Sequence, residues 1–116
     1  MFGAGYNMTA LKKKSETCEE QLRRMCKEIS EEISDVNNTM KQLEAFMDGV
    51  YDIEWITHND HTYKSARLLV AGGGPTIWVN LWTNTVDGYW WGDTCKCPFV
   101  DNLGLDDYLE ELHGCK

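Results

Sequence analysis

Apolar residues recur at Leu22, Cys26, Ile29, Ile33, Val36, Met40, Leu43 and Met47, an unbroken 4-3-4-3-4-3-4 step. That is the period of a helix with one buried seam, which must lie against a sheet or a second helix. The pattern predicts one long helix over residues 9–48, capped near Thr9 and ended by Gly49. Residues 35–39 (Asp-Val-Asn-Asn-Thr) form helix poorly. The seam keeps its register through them, so a continuous helix is expected. Such a rod would be on the order of 55 Å long. A small sheet cannot cover all of it, which points to a homodimer through the helix.

After Gly49 the period drops from 3.5 to 2. Tyr51, Ile53 and Trp55 alternate with Asp52 and Glu54 as in a half-buried strand. A second strand is predicted over 63–71 and a third over 76–83, with Ile77, Val79 and Leu81 on one face and Trp78, Asn80 and Trp82 on the other. A fourth takes in Tyr89, Trp90 and Trp91, and Pro98 closes the sheet region. Leu105, Tyr108, Leu109 and Leu112 then mark a short helix over 103–114, capped near Asn102 or Asp106 and stopped by Gly114. The expected fold is α+β, one domain over residues 1–116: a long N-terminal helix (9–48), a four-stranded antiparallel meander sheet (50–97) and a short C-terminal helix (103–114).

The glycine run at 72–75 precedes a strand and lacks a Gly-Lys-Ser/Thr sequence. It therefore reads as a hairpin turn, because a phosphate loop needs a helix N-terminus behind its glycines. Five tryptophans in 116 residues carry more weight. Trp78, Trp82 and one of Trp90 or Trp91 are expected on one sheet face, either buried under further structure or exposed as an aromatic platform. Tryptophan is enriched at binding hot spots because it offers large, stiff contact area with one donor.

Cys95-Lys96-Cys97-Pro98 places two thiols two residues apart, and His113-Gly114-Cys115 adds two more donors. Together Cys95, Cys97, His113 and Cys115 would make a tetrahedral structural zinc site clipping the C-terminus to the sheet. The spacing departs from the usual Cys-x2–4-Cys knuckle, so free thiols are the competing reading. No nucleophile elbow surrounds Ser15, Ser30, Ser34 or Ser65, and Asp52-x-Glu54 lacks the lysine of a nuclease motif. A non-enzyme is expected.

The formal charge of −8 is unevenly spread: residues 1–27 sum to +3, 28–60 to −8, 61–85 to +2 and 86–116 to −5. A chain this acidic repels a phosphate backbone, so direct nucleic-acid binding is disfavoured, whereas a partner with a basic cleft suits it. No apolar run is long enough to span a bilayer. The opening MFGAGYNMTALKKK puts its basic residues after the weakly apolar stretch, the reverse of a secretory signal. A cytoplasmic location is the expectation, with the cysteines as thiols or metal ligands.

The segments AGGGPTIWVN (71–80), VDGYWWGD (86–93) and LGLDDYLEELHG (103–114) resemble small accessory proteins carried by phages and mobile elements of Firmicutes. Some of these are anti-CRISPR inhibitors of the type II effector Cas9. The resemblance covers the C-terminal half and implies a stoichiometric inhibitor that binds Cas9 or its guide complex and blocks DNA loading. The acidic and aromatic residues expected to meet that partner are Trp78, Trp82, Trp90, Asp87, Asp93 and Glu54. The alternative is a protein that sequesters a nucleotide-like small ligand in a pocket of Trp78, Trp82, Trp90 and His61.

Overall fold

The heptad seam is divided between two helices. A computed structural model describes residues 17–115. In it α1 runs Cys18–Ser34 and α2 runs Met40–Asp48. Thr17 caps α1 through a reciprocal box: its Oγ1 accepts from the Glu20 N–H (3.1 Å), and Glu20 accepts from the Thr17 N–H (3.0 Å). The expected start at Thr9 lies outside the described residues. The continuous helix does not form, because residues 35–39 satisfy their backbone groups locally. Asp35 is extended and accepts from the Asn37 N–H (2.9 Å). The Asn38 amide donates to the Glu32 and Ile33 carbonyls (2.8 and 3.3 Å), closing the end of α1. Gln42 then accepts from the Thr39 N–H (2.9 Å) to open α2. Asp and Asn side chains compete with helical hydrogen bonds in this way, and here they win.

The strands are β1 Asp52–Thr57, β2 Tyr63–Ala71, β3 Thr76–Asn80, β4 Thr85–Trp90 and β5 Asp93–Pro98, followed by α3 Leu105–Gly114. They form one antiparallel meander in the order β1-β2-β3-β4-β5. The sheet thus has five strands where four were expected. The fifth, DTCKCP, alternates exposed and half-buried residues without a large aliphatic side chain, because it is an edge strand. The N-cap position of the short helix is Gly104, not Asn102 or Asp106, and the N–H groups at its start are held by Asp101. Its carboxylate accepts from the N–H groups of Gly104, Leu105 and Asp106 at 3.0, 2.9 and 3.0 Å.

One sheet face carries the core. Ile53, Leu68, Val79, Val86 and Cys97 stand side by side across the five strands, with Trp55, Ala66, Ile77, Gly88 and Cys95 beside them. Helix α1 lays Leu22, Cys26 and Ile33 over β4 and β5, all three fully buried. Gly88 permits the close approach: a Cβ there would lie 2.6 Å from the Cys26 Sγ. Ser30 Oγ donates to the Pro98 carbonyl (2.6 Å), and Asn102 Nδ2 donates to the Ser34 carbonyl (2.7 Å), fastening the link after β5 to the end of α1. Helix α3 packs on β2 through Leu105 and Leu109. The α1 seam is therefore spent on the chain's own sheet, while Val36, in the break, is 82% exposed. This removes the premise of a homodimer through one long seam. Among the described residues no helix is long and apolar enough to cross a membrane.

Candidate functional site

No described helix covers the other face of the sheet, and its residues are polar and aromatic. Two rows cross the strands. One reads Glu54, Arg67, Asn80, Thr85 and Pro98; the next reads Asp52, Leu69, Trp78, Asp87 and Lys96. Tyr89 stands beside them between Thr76 and Thr94. Arg67 organises the first row. Its guanidinium donates to Glu54 Oε1 (2.7 Å) and lies over the Trp78 ring at 4.3 Å from the centroid. Lys64 holds Trp82 in the same manner, its Nζ 4.5 Å from that ring's centroid. Each exposed cation–π contact contributes about 0.5–1 kcal/mol. Its larger effect is to fix the indole, which lowers the entropy lost when the ring is later covered.

Asp87 is the polar hub of the face. Only 4% exposed, it accepts from Lys96 Nζ (2.9 Å), Thr85 Oγ1 (2.8 Å) and, at longer range, Asn80 Nδ2 (3.5 Å). The Asn80 Oδ1 accepts from the N–H groups of Trp82 and Thr83 (2.9 and 3.3 Å), shaping the turn that carries Trp82. Lys64, Arg67 and Lys96 balance Asp52, Glu54 and Asp87, so this surface is neutral within a chain of charge −8. Glu54 and Asp87 are both committed to cations, and neither is placed as a free general base.

Of the residues expected to meet a partner, Trp78, Trp82 and Glu54 lie on this face. Asp87 lies there too, but as a buried brace. Trp90 does not: it shares the core side with Val86 and Gly88, and its indole nitrogen lies near Gly74. Asp93 pairs with Trp90 and belongs to the same side. Strand alternation from the buried Val86 would have placed Trp90 inward and Tyr89 outward. Arg67, Lys64 and Tyr89 were missed as site residues. So was Trp91, which sits 85% exposed at the β4–β5 tip. Trp91 and Gly92 form its two-residue turn with φ of 54° and 90°. Asn or Gly is the usual choice at a first turn position of positive φ, so this tryptophan is held in a strained backbone.

The zinc quartet does not assemble. Cys95 and Cys97 point to the core side of edge strand β5, their sulfurs 3.9 Å apart and close to Cys26. His113 stands on α3 near the other edge, its ring 5.1 Å from that of Trp55 and 6.1 Å from that of Tyr63. Among the described residues no group of three or more His, Cys, Asp or Glu is arranged to hold a metal ion. Burial foremost, then Cys95 and Cys97, pushes the Cys26 thiol up to about 12, and burial raises Cys97 too.

The small-ligand pocket fares no better. Trp78 and Trp82 are on the open side and Trp90 on the core side, while His61 is in the β1–β2 turn. His58, His61 and His113 instead line one hollow with Tyr63 and Glu110. There the Tyr63 hydroxyl donates to Asp106 (2.8 Å), and burial plus this bond raises its pKa well above the usual tyrosine value.

A scan against protein-family models finds no match for this chain, and searches of curated proteins and of solved structures find none either.

Proposed function

We propose that this chain is a non-enzymatic binding protein that captures a protein partner on the open face of its sheet. One observation carries the reading: Trp78 and Trp82 are held under Arg67 and Lys64 on a face that no described helix covers, with Trp82 still 55% exposed. Fixed aromatics that remain accessible are the usual anchors of protein interfaces. A protein suits the face better than a nucleic acid does. Arg67 and Lys96 are taken up by Glu54 and Asp87 and the charges of the face sum to zero, whereas a single-stranded nucleic-acid platform would need an unmatched basic groove.

The resemblance of residues 71–80, 86–93 and 103–114 to phage-borne inhibitors makes the Cas9–guide complex the first partner to test. Light scattering coupled to size exclusion should show a 1:1 complex, and DNA cleavage should stop at stoichiometric inhibitor. Trp82→Ala and Trp91→Ala should each weaken capture by about tenfold or more. Lack of co-elution would remove Cas9 as the partner. Undiminished capture by both variants would remove the open face as the site.

A further inference from the structure

The helix side of the molecule carries a second surface of different character. Beside α2 and α3 lies a hollow of about 470 Å³ with Leu43, Leu103 and Tyr108 among its lining residues. A smaller one of about 310 Å³ adjoins it, sharing Tyr108 and Glu111 and adding Leu112. Leu112 also lines a third, of about 500 Å³, with Met47, Val50, Ile53 and Trp55. Through these shared residues the three form one groove along α3. Its apolar side chains are accessible: Met40 at one end is 63% exposed, and Leu112, where the second and third hollows meet, is 37% exposed.

The walls are acidic. Asp107, Glu110 and Glu111 line the first hollow, and among the described residues no lysine or arginine lines any of the three. None of these three carboxylates is in an ion pair among the described residues. This contrasts with the open sheet face, where Glu54 and Asp87 are paired with Arg67 and Lys96. Carboxylates gathered without counter-ions around an apolar floor raise the local negative potential, which favours a partner of opposite sign.

We propose that this groove docks a basic amphipathic helix of a protein partner. The ten residues of α3 span about 15 Å, enough for a helix lying alongside to place side chains at i, i+4 and i+7 into successive hollows. Lysine or arginine flanking that apolar stripe would meet Asp107, Glu110 and Glu111. The groove is separate from the open sheet face, and its occupation does not depend on what binds there.

A fluorescent peptide of about 14 residues, leucine and lysine in amphipathic helical order, tests this by anisotropy on the full chain. Two comparators are needed: the same residues in an order that destroys the helical stripe, and the amphipathic order with glutamate for lysine. Leu112→Lys and Glu111→Lys, both at exposed positions, report on the groove; Trp82→Ala reports on the sheet face. The amphipathic basic peptide should bind about tenfold or more tightly than either comparator, and more weakly as salt rises. Either groove variant should remove most of that advantage at unchanged melting temperature, and Trp82→Ala should leave it intact. Equal binding of the reordered peptide would mean unspecific charge attraction and would overturn the proposal. So would full binding by both groove variants. Loss of binding in Trp82→Ala alone would place the peptide on the sheet face and overturn the groove while sparing the open-face reading.

Discussion

Gly88→Ala adds one methyl group, and its sign is decided by packing. Gly88 lies in β4 between Ile77 and Cys95 on the neighbouring strands, with α1 crossing above. A Cβ there would lie 2.6 Å from Cys26 Sγ, 2.8 Å from Leu22 Cδ1 and 3.2 Å from Leu22 Cγ. Both neighbours are fully buried, so neither can swing into solvent. The φ of Gly88 is not positive, so alanine suits the backbone itself. Without a clash, replacing a strand glycine by alanine would stabilise by roughly 0.5–1 kcal/mol. Overpacking a filled interior costs about 1–3 kcal/mol. The net expectation is a loss of roughly 1–2 kcal/mol, or several degrees in melting temperature at about 4–8 °C per kcal/mol. Thermal and urea unfolding followed by tryptophan fluorescence would measure it. The same substitution in a Cys26→Ala background should cost less, because the nearest clashing atom is gone, though Leu22 keeps part of the penalty. A melting temperature equal to or above that of the parent, or an undiminished cost in the Cys26→Ala background, would refute the close approach of α1 to β4.

The break between α1 and α2 separates two substitutions that one continuous seam would make equivalent. Ile33→Asp buries an unpaired charge and should cost several kcal/mol, whereas Val36→Asp, at an exposed position, should stay within about 0.5 kcal/mol; comparable losses in urea unfolding would restore the continuous helix. Asp101→Ala removes the acceptor of three N–H bonds at the start of α3 and should cost about 1–2 kcal/mol, with unchanged stability counting against the cap. Stability should also fall in alkali. The buried Cys26 titrates near 12 when folded against an ordinary value of 9.0, so only the unfolded chain ionises it as the pH first passes 9. Its contribution is complete below pH 9 and is lost as the pH rises towards 12. Tyr63, raised above its ordinary 10.0, acts in the same direction. Urea midpoints at about pH 8 and about pH 10.5 should fall further apart in the parent than in Cys26→Ala, and equal separations would contradict the assignment.

Some of this was legible in the sequence because periodicity is a local property that burial enforces. The seam residues Leu22, Cys26 and Ile33 had to meet a core, and Ile77 and Val79 had to share a face with each other. The turn at 72–75 and the helix end at Gly49 followed from backbone chemistry alone. The helix break was written in the sequence but undervalued, because apolar spacing says nothing of whether Asp35 and Asn38 will cap the chain sooner than continue it. Strand β5 escaped notice because an edge strand needs little hydrophobic surface, and its pairing with β4 lies in hydrogen bonds, not in side-chain pattern.

The site depended on the tertiary structure almost entirely. Strand pairing brought Glu54 to Arg67 and Arg67 over Trp78, from three strands, while a turn carried Trp82 under Lys64. It also put Cys95 and His113 near opposite edges of the sheet, although both lie in the last quarter of the chain. Residue types state which contacts are possible, whereas their distances depend on how the strands are ordered and which face the helices cover. Among the described residues α1 and α3 pack on one face and no helix covers the other, and that arrangement, fixed only by packing the whole chain, put Trp90 on the core side and Trp78 on the open side.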